Sequence, residues 1–137
     1  MSLKAFIENN EVTSTTRLID EATLIEAEKI IGITFGNQLK EYILTYGYLS
    51  YKFAELYGIN SNQKIESDLV RQTLYLHKYF PIVNKYIAIE NQGDGDYYVV
   101  DSSDHVFEFD SDLGELSDTG FKLFDYILDR FDGIKNL

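Results

Sequence analysis

The sequence predicts an α+β fold in a single domain spanning residues 1–137, with an antiparallel sheet packed against several helices. Three observations predict it. Apolar residues recur at helical spacing through the first half of the chain and again near its end. Between them, Lys85 to Asp110 reads as three short β-branched and aromatic runs separated by turn residues, the pattern of a meander. The order, helices first, then a sheet, then a helix, is that of an α+β chain rather than of alternating βαβ units.

Taken in order, a first helix is expected over Leu3–Asn9, with Leu3, Phe6 and Ile7 on one side. The stretch Asn10–Thr16 is polar and turn-like. Thr23-Leu24-Ile25-Glu26 matches a capping box, in which hydroxyl and carboxylate each satisfy an end-of-helix N–H. The helix it opens runs from Leu24 to Ile31 and stops at Gly32. A second helix covers Gln38–Tyr46, with Leu39, Tyr42, Ile43 and Tyr46 on one stripe. Tyr48–Tyr57 shifts towards period two, which argues for a strand or two with Leu49, Tyr51, Phe53 and Glu55 on a shared face. A third helix, capped by Ser67, spans Asp68–Tyr79 with Leu69, Thr73, Leu76 and Phe80 inward.

In the meander, Tyr86–Glu90, Tyr97–Val100 and Val106–Phe109 are the strands. Gly93-Asp94-Gly95 supplies the positive φ that tight turns need, and Asp101–Asp104 is turn chemistry. Period two puts Phe107 and Phe109 on the face turned to the helices, with Val106 and Glu108 opposite. Asp110–Glu115 reads as a loop. Ser117 or Asp118 then caps a last helix that carries Phe121, Phe124, Ile127, Leu128 and Phe131 and ends at Gly133.

Charge is the most informative total. Twelve Lys+Arg stand against 23 Asp+Glu, a net charge of −11, so phosphate backbones and anionic lipid are repelled and direct nucleic-acid binding is disfavoured. Solubility is the plain reading of that charge; a cationic protein partner is the sharper one. There is no Cys or Trp, which excludes disulfides, thiolate metal sites and cysteine nucleophiles and fits a cytoplasmic setting. No signal peptide is expected from MSLKAFIENNEV, and no apolar run reaches the ~20 residues of a membrane span.

Catalytic patterns fail one by one. Gly93-Asp94-Gly95-Asp96-Tyr97-Tyr98 starts like a dinucleotide fingerprint, but Tyr98 replaces the third glycine and the run leads into a strand, not a helix. Asp110-Ser111-Asp112 could open a calcium loop, yet its sixth position is Glu115 and its twelfth Phe121. His77 and His105 lack the convergent carboxylates a transition metal needs, and no serine sits in a nucleophile elbow. The reading is therefore no enzyme, with no catalytic residue, no metal site and no cofactor. The acids Asp94, Asp96, Asp104, Asp110 and Asp112 stand at turns, where side chains project. They are the candidate contacts for a basic partner, and Tyr48, Tyr51, Glu55 and Tyr57 form a second candidate surface.

The motifs Ile25–Gly32, Leu39–Gly47, Gly93–Asp101 and Val106–Asp110, followed by an apolar helix from Phe121, resemble in order and spacing the SUKH superfamily. That superfamily comprises the cell-wall-assembly-regulator-like domains, which include many bacterial toxin-immunity proteins. The likeness spans the chain from about Asp20 onward. One departure is that the family places a proline just before its second helix, where here Gly36 follows Phe35. The resemblance implies a curved-sheet α+β fold, no shared catalytic set, and a binding role. That role would be an immunity protein neutralising a toxin, plausibly a basic nuclease, or alternatively a regulatory scaffold for other cellular proteins. A hydrolase working through the acids of Asp94–Asp112 ranks below both.

Overall fold

The computed structural model describes residues 1–15, 18–59 and 65–137; Thr16, the end of the first expected turn, lies outside them. Helix α1 covers Leu3–Asn9 as expected, with the Ser2 hydroxyl accepting the Ala5 amide at 3.1 Å. Within the expected turn, Thr13–Ser14 forms a short strand, β1. Helix α2 spans Glu21–Ile31, one turn longer than the capping box implied. Asp20 is the cap, and its Oδ1 accepts both the Thr23 amide (2.8 Å) and the Thr23 hydroxyl (2.6 Å). A carboxylate two bonds deep outcompetes the hydroxyl of Thr23, which becomes a helical residue. Leu24, Ala27 and Ile31 face inward, and Gly32 ends the helix at φ 82°.

Helix α3 is Asn37–Tyr46, with Leu39, Tyr42 and Ile43 buried. It leads to a hairpin of β2, Leu49–Tyr51, and β3, Ala54–Glu55, with β1 paired to β2 in a small antiparallel sheet. The tight turn between β2 and β3, with Lys52 at φ 52°, breaks the period-two parity. Phe53 is consequently 65% exposed while Ala54, Leu56 and Tyr57 are buried. A 3-10 turn, Ile65–Ser67, precedes helix α4, Leu69–Tyr79. Asp68, not Ser67, caps it, accepting the Arg71 amide at 2.9 Å; Ser67 is buried in the turn before.

The meander is present and longer than expected. Strands β4 (Ile87–Asn91), β5 (Asp96–Val100), β6 (His105–Asp110) and β7 (Glu115–Lys122) form a four-stranded antiparallel sheet in sequence order. The fourth strand is a correction, since residues 115–122 were expected to be loop and helix N-terminus. Ser117, Asp118, Thr119 and Gly120 are weak helix formers, and the outer edge of β6 offers them unpaired backbone groups. Thr119 also donates its hydroxyl to the Val106 carbonyl at 2.7 Å. Helix α5 therefore starts at Leu123 and runs through Gly133 to Ile134, so Gly133 does not stop it.

Both sheet faces are covered. Phe109, fully buried, meets the ring of Phe80 beyond α4 at 5.1 Å, and half-buried Phe107 meets Tyr86 at 5.2 Å. On the opposite face Tyr98 lies against Tyr126 of α5 at 5.1 Å, and Val106 is buried. The small sheet joins the large one where the Tyr57 amide donates to the Ile89 carbonyl at 2.8 Å, beside the irregularity in β4 between Ala88 and Glu90.

Candidate protein-binding surface

The meander's geometry divides the five candidate aspartates. The β4–β5 and β6–β7 turns lie at one end of the sheet, because Asp96 pairs with Asp110 and Asp110 with Glu115. Asp94, Asp96, Asp110 and Asp112 are thereby gathered at that end. Asp94 is exposed at φ 54°. Asp110 is half-buried, its Oδ1 accepting the Asp112 and Leu113 amides at 3.0 and 3.1 Å. The Ser111 hydroxyl donates to the Gly95 carbonyl at 2.9 Å, tying the two turns together.

Asp104 belongs to the other end, and it does not project into solvent. It is 5% exposed, and its carboxylate accepts the amides of Gln38 (2.9 Å) and Leu39 (3.0 Å) at the start of α3. Helix α3 has no side-chain cap of its own, since Gly36 occupies the cap position. Asp104 supplies the cap from 65 residues away, and its charge meets the positive end of the helix. A side chain at position 36 would block this, because its Cβ would stand 2.4 Å from Asp104 Oδ1. Gly36, where the family has proline, thus makes room for the carboxylate.

Two acids that sequence reasoning did not single out complete the acidic face. Glu90 is 1% exposed; it accepts the Tyr126 hydroxyl at 2.5 Å and Arg130 Nε at 3.0 Å. Arg130 in turn lies over the exposed Phe53 ring at 5.7 Å. Burial first, then the Glu90 charge, pushes the Tyr126 phenol well above its usual range. Glu108 sits across from Tyr98, which donates to Glu108 Oε2 at 3.3 Å. Asp96 Oδ1 is closed off from solvent, and among the described residues no N–H or O–H group reaches it. Burial, followed by the hydrogen bond and charge of Glu108 and the charges of Asp110 and Glu90, pushes its carboxyl up to about 6. Strand parity could have placed Asp96 and Glu108 together; the shift at Ala88/Glu90 that brings Glu90 onto this face has no signal in the sequence.

The second candidate surface is mostly interior. Tyr51 is buried between Phe6 (5.3 Å) and Phe131 (5.5 Å). Tyr57 is buried too, and burial raises its phenol above the usual range. Tyr48 is half-buried and Glu55 exposed, so these two alone of the four reach solvent. Tyr51 directly precedes the β2–β3 turn, and the aromatic core beneath it takes its ring. The histidines are also accounted for: His77 Nε2 donates to the Tyr86 carbonyl at 2.7 Å, and His105 lies 3.5 Å from Asp101 at the surface. Among the described residues no cluster of three or more His, Cys, Asp or Glu is placed to hold a metal ion, and no helix is long and apolar enough to cross a membrane.

No curated protein matches the chain. A crystal structure of a protein from Pseudomonas syringae pv. tomato has a similar fold, with a TM-score of 0.61 and 24% identity over 77% of this chain and 79% of that one. The SUKH family model described as SMI1-KNR4 cell-wall matches residues 2–132. That span takes in the capped helix pair, the four-stranded meander and nearly all of the closing helix, and the chain belongs to the SUKH superfamily.

Proposed function

We propose that this chain is an immunity-type binding protein, which acts in the cytoplasm without catalysis or cofactor by holding a basic toxin domain in direct contact. One observation carries the reading: Asp94, Asp96, Asp110 and Asp112 converge on two adjoining turns of a chain with net charge −11. Asp96 adds to it. A cation from a partner would relieve the repulsion between its carboxylate and that of Glu108, so the surface gains by being covered with positive charge. Membership of a family that includes immunity proteins is in keeping with this role.

The test is association kinetics with a cognate basic toxin domain. Asp94→Asn/Asp96→Asn/Asp110→Asn should slow association about tenfold at low salt and leave dissociation nearly unchanged. Raising salt should slow the wild type more than the triple variant, because the Debye length falls to about 8 Å at 0.15 M. Association unchanged by the triple substitution at every salt concentration would refute the sheet end as the contact.

A further inference from the structure

Helix α5 crosses one face of the large sheet on a diagonal. It begins beside Asp104, whose carbonyl accepts the Leu123 amide at 3.0 Å. It meets Tyr98 at Tyr126 and reaches Glu90 at Arg130, and Phe131 packs on Tyr51 of the small sheet. This course leaves the far corner of the face open. Asp96, Asp110 and Glu115 stand there in one row across the strands, and Tyr98, Glu108 and Ser117 in the next. Paired residues and alternate positions share a face, so all six side chains lie on the α5 side, opposite Tyr97, Phe107 and Phe109. Glu115 and Ser117 are exposed and the other four half-buried.

Charge selects what can cover this corner. Four of its six side chains are carboxylates, and the charges that weigh most on Asp96 are those of Glu108, Asp110 and Glu90, all negative. Arg130, a base that reaches this face, is already held by Glu90 at 3.0 Å. A second copy would set the same acids against one another, which opposes self-association. An exposed aromatic adjoins the acids. Phe53, in the tight β2–β3 turn, is 65% exposed, and the Arg130 guanidinium backs its ring at 5.7 Å. From Phe53 the contacts run on without a break, through Arg130 to Glu90, Tyr126, Tyr98 and Glu108. Aromatic and Arg side chains are enriched in protein interfaces, and here the two are stacked beside the carboxylates.

We propose that this open sheet face, from Phe53 across Tyr98 to Glu108 and Glu115, receives the basic partner. Lys and Arg side chains of that protein settle among Asp96, Glu108, Asp110 and Glu115, and an apolar side chain beside them packs on Phe53. The proposal rests on the reading that the partner is a basic protein; it extends the contact from the turns onto the sheet face and adds an aromatic anchor.

The test uses the whole chain, 15N-labelled, titrated with two peptides of about 12 residues, one all lysine and one of lysines around a central pair of phenylalanines. Both should shift the amides of Tyr98, Glu108 and Ser117. The phenylalanine peptide should also shift Phe53 and bind about threefold or more tighter than the other. Phe53→Ser, at an exposed position, should remove that preference. Glu108→Gln, which keeps an acceptor for Tyr98, should weaken both peptides about threefold. Circular dichroism should be unchanged in both variants. Shifts confined to Asp94 and Asp112–Gly114, or equal affinity of the two peptides, would overturn the sheet face. A cognate basic toxin domain separates this proposal from the immunity role. Toxin association slowed by Asp94→Asn/Asp112→Asn but untouched by Phe53→Ser and Glu108→Gln overturns the sheet face and leaves the immunity role standing. Peptide binding on the face by a chain that binds no toxin supports the face and removes the immunity role.

Discussion

At Asp104 a positive φ of 68° carries the carboxylate back from the β5–β6 turn to the amides of Gln38 and Leu39. Asp104→Ala would leave those two amides, one buried and one half-buried, without their carboxylate, and should cost about 2–3 kcal/mol in chemical denaturation. Gly36→Ala should cost a similar amount, because the new Cβ displaces the same carboxylate. The two losses should not add in the double variant; full additivity would mean that Asp104 and Gly36 act separately. Asp96 makes the opposite kind of prediction. Its carboxyl has an ordinary value of 3.8 and stands at about 6 in the fold. Between those values the native state binds more protons than the unfolded chain, so this group's contribution to stability falls as pH rises through the window. The penalty is complete above about pH 6 and absent well below 3.8. Asp96→Asn should therefore stabilise the protein at about pH 7, by ~1 kcal/mol after allowing for solvent screening of a partly exposed group. The gain should vanish near pH 3.5; a pH-independent gain would exclude the carboxylate pair as its cause.

Among the elements, β6 sets how the sheet meets the helices. Phe109 is fully buried against Phe80, whereas Phe107 is half-buried against Tyr86. Phe109→Ala should cost about 3–5 kcal/mol and Phe107→Ala clearly less. Equal losses would mean that the strand presents its two aromatics alike, contrary to the observed register. The helices were legible because each carries a self-contained signal: Leu24, Ala27 and Ile31, or Leu69, Thr73 and Leu76, repeat at the spacing of one helical face. Strand β7 was not. Its residues 115–122 carry no strong preference of their own, and the open edge of β6 decided them. The caps show the same division at smaller scale. Asp20 and Asp68, adjoining α2 and α4, take the cap roles that Thr23 and Ser67 were expected to fill, whereas the cap of α3 comes from the far side of the meander.

Over the whole molecule, the net charge of −11 acts on the compact state through self-repulsion. Thermal unfolding should therefore shift upward as salt rises from about 0.05 M to about 0.5 M; a downward shift would mean that local ion pairs such as Arg130–Glu90 outweigh the repulsion. By itself the sequence determined the α+β class, the helices that carry an apolar stripe and the first three strands of the meander. It also determined the acidity and the motif order that marks the family. These are properties of composition and of contacts a few residues apart. Tertiary structure decided which acids are surface and which are scaffold. Asp104 and Glu90 are buried with partners supplied by other elements, while Asp94 and Asp112 remain in solvent. It also decided that Tyr51 and Tyr57 are core and that α5 leaves one corner of the sheet open. The physical reason is the same throughout. Whether a polar group is buried depends on whether distant backbone can pair with it, and no local pattern records which distant segment will arrive.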